Sequence, residues 1–193
     1  MRKHAKQRVL DTAAELLDRG GHERFTLFAL SVDSEVSNGS IYHHFRSKEG
    51  VVIALLRRTL VAYHKAVGAP LAAHRDDAQA GVHALVREHL EWTEANPRDA
   101  RLLMRERALI VSGERSLHDA NVIFAARLQR WFDAHAEAGR LPHLDAEVAR
   151  AVLFGPAQVI VDPWLRSLTD VAPTVHAEHL GDAAWAGLRA AGC

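Results

Sequence analysis

Apolar residues recur at helical spacing along most of the chain, and no segment shows the two-residue alternation that marks a half-buried strand. The apolar positions between Val9 and Leu17 form the stripe of a helix that buries one face. We predict this first helix over residues 3–19, because the Gly20-Gly21 pair that follows is typical of a helix end. The pattern indicates an all-α protein.

Three capping residues define the helices that follow the first one. Thr26 precedes a short helix that ends at Ser34, and Ser37 precedes a second short helix that ends near Phe45. Ser47 precedes a long helix that begins at Lys48. Two short helices are therefore predicted between two longer ones.

Proline and glycine divide the rest of the chain, and all six prolines lie between Pro70 and Pro173. We place a domain boundary near Ser47, so that residues 1–47 form a three-helix domain and residues 48–193 a larger helical domain. About nine helices are expected in total. The later ones are predicted over residues 76–95, 97–112, 114–138, 144–169 and 173–190. Pro156 and Pro163 should kink or divide the fourth of these segments.

The composition excludes several classes of protein. The 193 residues carry 24 basic and 24 acidic side chains, so no overall charge draws the chain to nucleic acid or to an acidic membrane. Residues 1–8 nevertheless hold four basic side chains and no acidic one, which is a local basic arm. No apolar run is long enough for a signal core or a membrane span, and Cys193 is the only cysteine. We expect a cytoplasmic protein with no membrane segment.

Residues 26–45 carry the most specific signal for chemistry. Leu30, Val36, Ile41 and Phe45 are spaced so that two short helices joined by a tight turn can bury one apolar cluster. The side chains left outside the second helix can all form hydrogen bonds, and none is acidic: Ser37, Asn38, Ser40, Tyr42, His43 and His44. Such a face suits an anionic groove, and the layout is that of a DNA-binding helix-turn-helix, although a purely structural corner has the same periodicity.

The string VSNGSIYHHFRSKEGVV, which begins at Val36, resembles the DNA-binding region of the TetR/AcrR family of transcriptional regulators. The resemblance covers about residues 8–55, and beyond them only helix number and spacing agree. It implies a homodimer of all-helical subunits, each with a three-helix DNA-binding head and a larger body that binds an effector. It also implies that bases or nearby phosphates face Ser37, Asn38, Ser40 and His43. The backbone would be held mainly by Tyr42, His44 and Lys48, and Thr26 and Gly39 complete the predicted DNA-binding set.

The chain departs from the family pattern in the second helix and the turn. Glu35 stands where the family usually has glycine, so we expect an altered or strained turn there. Phe28 and Val32 are more apolar than the family's usual exposed second helix.

Effector and dimer contacts are predicted in the carboxyl-terminal body. Candidate pocket residues are Tyr63, His64, His89, Trp92, Met104, Arg105, His118, Phe124, Trp131, Gln158 and Trp164, with Trp92 and Arg105 favoured as an apolar wall and a polar anchor. The resemblance implies a four-helix dimer interface through residues 144–190. No cofactor and no catalysis are expected.

Two other classes of function remain open at this stage. A small-molecule-binding helical protein without a DNA role would have the same body. A histidine-based metalloenzyme would use His176 and His179, although the chain has no HExxH string and no cysteine pair. The sequence favours a ligand-responsive regulator, usually a repressor in this family, that binds a palindromic operator with one recognition helix per subunit.

Overall fold

The computed structural model describes residues 2–191, with side chains from His4 onward, and its regular structure over that range is helical throughout. The all-α prediction is therefore confirmed. Cys193 lies outside the described residues, as do the side chains of Arg2 and Lys3, two of the four basic groups of the predicted arm. The helices are α1 (Arg2–Arg24), α2 (Leu27–Ser34), α3 (Asn38–Phe45), α4 (Lys48–Val67), α5 (Pro70–Ala73), α6 (Ala78–Ala95), α7 (Pro97–Arg105), α8 (Arg107–Val111), α9 (Arg115–Glu137), α10 (Ala146–Leu165) and α11 (Ala177–Ala190), with a 3-10 turn at Pro173–His176 before α11.

The first helix breaks at Gly21, where the sequence predicted its end, but a further turn carries it beyond the predicted limit at residue 19. Gly21 has φ 59° and ψ −159°, so the helix breaks there, but it resumes and continues to Arg24. Phe25, which follows, is completely buried, and its amide donates to the carbonyl of Gly21. Burial of this ring holds the chain in one more turn, because a fully buried Phe contributes about 1.5–3 kcal/mol.

Two later predictions also need correction. The segment 97–112 is not one helix, because Glu106 leaves helical geometry and separates α7 from α8. Helix α10 runs through Pro156 and Pro163 undivided, so the predicted division is wrong, and the alternative of a kink stays a prediction. A proline interior to a helix removes one backbone hydrogen bond, and the buried side chains of α10, among them Leu153, Phe154 and Val161, hold the helix in place across that loss.

The chain forms two compact units that do not coincide with the boundary expected near Ser47. Unit one consists of residues 1–61 and 98–120, and unit two of residues 62–97 and 121–193. Helix α4 contributes its first part to unit one and its last part to unit two, and α9 is likewise shared. The functional division at residue 47 stays a prediction.

The core of unit one is assembled from α1 to α4 together with residues of α7 and α9. Its buried members are Val9, Leu10, Ala13, Ala14, Leu17, Phe25, Leu30, Val36, Ile41, Phe45, Val51, Val52, Leu55, Leu56, Leu102 and Leu117. The stripe predicted on the first helix is thus the face that enters this core. Because α2 and α3 share the core with α1 and α4, their orientation is set by apolar packing from several sides.

Unit two is built around α6, which packs against α5, α10, α11 and the 3-10 turn. Val82, Leu85, Val86 and Leu90 of α6 are fully buried. Among the helices of the described chain, none combines the length and the apolar character needed to cross a membrane.

Candidate nucleic-acid interface

The two short helices begin at the predicted caps. Thr26 Oγ1 accepts a hydrogen bond from the amide of Ala29 at 3.1 Å, and Ser37 Oγ accepts one from the amide of Ser40 at 3.3 Å. Each cap satisfies an amide that has no partner inside its own helix, which is worth about 1 kcal/mol. The starts of α2 and α3 are therefore encoded locally.

The apolar cluster predicted between α2 and α3 is present. Leu30, Val36, Ile41 and Phe45 are all buried, and Leu27 packs against them. Gly50 at the start of α4 lies so close to the carbonyl of Phe45 that a β-carbon would clash with it. This close approach places the start of α4 directly against the end of α3 and keeps the inner face of α3 in the core.

The turn between α2 and α3 is strained, as the sequence predicted. Glu35 adopts φ 53° and ψ 33°, a left-handed conformation that disfavours residues with a β-carbon. Its amide donates to the carbonyl of Val32, and the amide of Val36 donates to the carbonyl of Ser31. The hydroxyl of Ser31 also donates to the carbonyl of Val36 at 2.8 Å. This side-chain bond braces the turn in the absence of glycine.

The outward face of α3 is polar over its whole length. The exposed residues are Ser37, Asn38, Gly39, Tyr42 and His43, and Ser40 and His44 are half-buried. Tyr42 has 61% of its surface exposed, so its phenol is not a core group. The predicted residues of α3 and its cap are thus at least partly accessible, and Thr26, the cap of α2, is exposed as well.

Lys48 has a structural contact that the sequence did not reveal. Its ammonium donates to the carbonyl of His22 at 3.0 Å and lies 5.6 Å from the centre of the Phe25 ring. It therefore ties the end of α1 to the start of α4. Its remaining donors are free to bind a second acceptor, since an ammonium has three.

An apolar strip lies on the outer face of α2. Phe28 is 75% exposed and Val32, one turn later, is 58% exposed. The residues that the sequence marked as unusually apolar therefore stay outside the core, since the inner face of α2 is filled by Leu30 and Ser34.

Charged side chains join α1 to α7 and α8 inside unit one. Arg101 holds the carboxylate of Asp18 through two hydrogen bonds, of 2.9 and 3.0 Å, and this bidentate contact lowers the pKa of Asp18. His22 Nε2 lies 2.6 Å from the carboxylate of Glu106. These pairs join residues more than 80 positions apart, so sequence spacing gave no sign of them.

The predicted pocket residues divide between the two units. Met104, Arg105 and His118 belong to unit one, where Arg105 donates to the carbonyl of Leu17 at 2.6 Å. The other candidates belong to unit two. Trp131 donates to the carbonyl of His74 at 2.9 Å, and Trp164 is half-buried on α10.

Three of the unit-two candidates form a polar group around the buried ring of His89, and we call it the His89 cluster. Tyr63 in this cluster is half-buried and Gln158 is exposed. Tyr63 Oη lies 2.9 Å from Nδ1 of His89, and the amide nitrogen of Gln158 lies 3.2 Å from Nε2 of the same ring. Trp92 and Phe154 pack edge-on against Tyr63 and His89 respectively. Nearby, the rings of His64 and Phe124 stack in parallel, 4.4 Å apart.

Burial keeps the His89 cluster neutral. Desolvation lowers the pKa of His89 to about 4 and raises the pKa of the Tyr63 phenol. A neutral imidazole has one donor and one acceptor nitrogen, and both nitrogens of His89 have polar neighbours. The polar groups of the cluster therefore bind one another, and rings border it on two sides.

Sequence reasoning missed a second surface of unit two. An open groove follows one face of α6, and its lining consists of His74, Asp77, Gln79, Ala80, His83, Ala84 and Arg87. Within residues 2–191, no group of three or more His, Cys, Asp or Glu side chains is placed to hold a metal ion.

Comparison with known proteins identifies the amino-terminal arrangement. Residues 9–55, which include all of α2 and α3, match the sequence family described as bacterial regulatory proteins, tetR family. The part of the chain that holds the two short helices is therefore a TetR-type region.

The similarity to individual relatives and solved structures covers different shares of the chain. NemR, an HTH-type transcriptional repressor of Escherichia coli strain K12, is 38% identical over 69 residues, which cover 34% of this chain and 35% of NemR. The match thus spans about a third of the length of that relative. BetI, an HTH-type regulator of Pseudomonas paraeruginosa, is 29% identical over 167 residues, covering 83% of this chain and 80% of BetI. A TetR family regulator from Marinobacter aquaeolei VT8 shares the fold, with a TM-score of 0.78 at 15% identity over 97% of this chain and 98% of that one.

The strained turn of the TetR-type head yields a stability prediction. We expect Glu35→Gly to raise the free energy of unfolding by roughly 1 kcal/mol, because glycine adopts positive φ without the β-carbon clash. Glu35→Ala is the matched control, since it removes the same charge and keeps the β-carbon. Urea unfolding of the three proteins measures the effect, and equal gains in both variants would show that backbone strain is not the cause.

The His89 cluster yields a prediction about pH. The folded pKa of about 4 lies below the ordinary 6.5, so the unfolded chain takes up the proton first. Stability from this group is complete above pH 6.5 and falls as the pH decreases toward 4, by up to about 3 kcal/mol.

His89→Gln should therefore flatten the pH dependence of unfolding between these limits, as measured by urea unfolding at several pH values. His135 is also buried with a lowered pKa, so part of the slope should persist. A slope that is unchanged in the variant would contradict the assignment of His89 as a neutral buried base.

Proposed function

We propose that this chain is a sequence-specific DNA-binding transcriptional regulator, and that α3 is the helix that reads the major groove. The observation that carries the proposal is the outward face of α3, which is polar, free of acidic residues and backed by a buried apolar cluster. A helix held rigidly on one side and polar on the other is what major-groove reading requires. The match of residues 9–55 to the tetR family supports the same function.

The residues of α3 divide between base and backbone contacts in this proposal. Ser37, Asn38, Ser40 and His43 face base edges or nearby phosphates, whereas Tyr42 and His44 hold the backbone. Gly39 has open space where a β-carbon would stand, which suits a close approach to DNA. Thr26 at the start of α2 and the spare donors of Lys48 supply further phosphate contacts.

We also propose a homodimer formed through residues 144–190. Val148, Val152, Gly155 and Val159 lie on one face of α10, and Val159 is 75% exposed. Packing this face against its own copy would remove apolar surface from water. Two-fold symmetry would then present two recognition helices to a palindromic operator, with half-site centres one or more turns of DNA apart, about 34–36 Å for one turn.

The dimer is proposed to respond to a small-molecule effector bound in unit two, as a repressor whose effector and operator weaken each other. The His89 cluster supports this assignment because it combines hydrogen-bonding groups around one buried ring with aromatic neighbours. The candidates that share unit two with it are Tyr63, His64, Trp92, Phe124, Gln158 and Trp164. A coupling of about 1–3 kcal/mol would change affinity by roughly 5–150-fold in both directions.

Selection of bound duplexes from a random pool tests DNA reading, symmetry and half-site spacing together. The expected result is a palindrome recovered by the full-length protein, with sedimentation reporting a dimer at the same concentration. Recovery of no preferred sequence at low salt, where phosphate contacts are strongest, would overturn the proposal.

Two substitutions distinguish base contacts from backbone contacts on the selected DNA site. Asn38→Ala should cost roughly 1–3 kcal/mol of discrimination at the base pair it contacts and change the selected sequence there. Tyr42→Ala should weaken binding to operator and random duplex alike, because a phosphate contact carries no sequence information. Gel-shift titrations of both variants on both duplexes measure the difference, and an Asn38 variant with an unaltered selected sequence would contradict base contact.

A further inference from the structure

The turn before the recognition helix carries an acidic residue at an energetically unfavourable position. Glu35 has φ 53°, which glycine would adopt without strain, and its carboxylate is 82% exposed. An exposed carboxylate gains nothing from burial, and its one ion pair is a surface contact of small worth. Fold stability therefore gives no reason for an acidic residue here, and backbone strain of this kind is a reason to look for a functional one.

The place of Glu35 in the chain gives its charge a consequence for DNA binding. It stands two residues before Ser37, the cap of α3, where unpaired amides and the positive end of the helix dipole attract phosphate. A carboxylate at the same end repels phosphate. The charge of Glu35 thus opposes the attraction that the start of α3 provides.

Arg8 of α1 reaches the same place. Its Nη1 atom lies 3.5 Å from Oε2 of Glu35, and 54% of its side chain is exposed. Other cations of unit one have acidic partners within or between helices away from this turn, such as Arg19 with Glu15 and Arg58 with Asp11. Among the ion pairs of the described residues, Arg8 with Glu35 is the pair that borders the start of α3.

We propose that Glu35 attenuates DNA binding: it holds Arg8 in the free protein and repels the DNA backbone when Arg8 moves to a phosphate. This inference rests on the proposed DNA-binding function and adds a residue that opposes it. Because the effect is electrostatic, it acts on every duplex irrespective of sequence.

A salt titration with a random-sequence duplex tests the proposal on the full-length protein without knowledge of the operator. Glu35→Gln removes the charge and keeps the β-carbon. It should raise affinity roughly twofold to fivefold per head, the range that corresponds to a surface charge pair. The plot of log affinity against log salt should also become steeper, because Arg8 then neutralises a phosphate without losing a partner.

Three further substitutions, one of them made in two backgrounds, make the interpretation unambiguous. Arg8→Gln should cost more affinity in the Glu35→Gln background than in the wild type, because only there does Arg8 bind phosphate without leaving Glu35. Asp33→Asn makes the same charge change at an exposed acid on α2 and should leave affinity within about twofold. Glu35→Gly should match Glu35→Gln if charge is the cause.

The outcomes separate this inference from the function on which it rests. If the wild type binds DNA and Glu35→Gln has unchanged affinity and salt slope, the attenuation is overturned and the proposed function stands. A gain in Glu35→Gly alone would assign the effect to backbone strain and would also overturn it. If neither the wild type nor any variant binds a duplex at low salt, the proposed function fails and this inference fails with it.

Discussion

The arrangement at the amino terminus depends on one apolar cluster, in which Leu30, Val36, Ile41 and Phe45 are buried against α1 and α4. Removing these side chains from water stabilises the pairing of α2 with α3, by about 1.5–3 kcal/mol for each large residue. The same burial decides which face of α3 remains outside. The exposure of the polar face of α3 is therefore a consequence of the core, since an isolated helix of eight residues is not stable in water.

Charged and polar side chains of unit one contribute in a different way, because several of their short contacts join separate segments of the same unit. Arg101 with Asp18, and His22 with Glu106, connect α1 to the segment formed by α7 and α8. Lys48 is likewise held by the carbonyl of His22. These contacts explain why residues 98–120 belong to the same compact unit as α1, α2 and α3, although residues 62–97 of unit two intervene in the sequence.

Unit two encloses a titratable ring in its interior. The ring of His89 is desolvated, and its nitrogens face Tyr63 and Gln158. A buried polar group is costly unless it has partners, so such a cluster constrains the packing of α4, α6 and α10 against one another. The same property makes it sensitive to anything that competes for those hydrogen bonds, and this links the cluster to the proposed effector response.

Much of the helix-turn-helix could be predicted from the sequence because its determinants are local. Thr26 and Ser37 accept hydrogen bonds from amides three residues ahead, and the apolar spacing of Leu30 to Phe45 specifies the shared face. The strain at Glu35 was also foreseeable, since a turn that favours glycine penalises a β-carbon. The helical class and most helix limits follow from the same short-range physics.

Other features depended on contacts between residues far apart in sequence. Burial of Phe25 extended α1 beyond Gly21, packing kept α10 continuous across two prolines, and Glu106 broke a helix where it meets His22. Arg105, a predicted effector contact, donates to the carbonyl of Leu17, a bond that sequence spacing did not indicate.

The sequence by itself determined where helices start and which faces are apolar, because those depend on neighbours within one or two turns. Only the tertiary structure decided which charged and aromatic groups meet, because that depends on how separate helices pack.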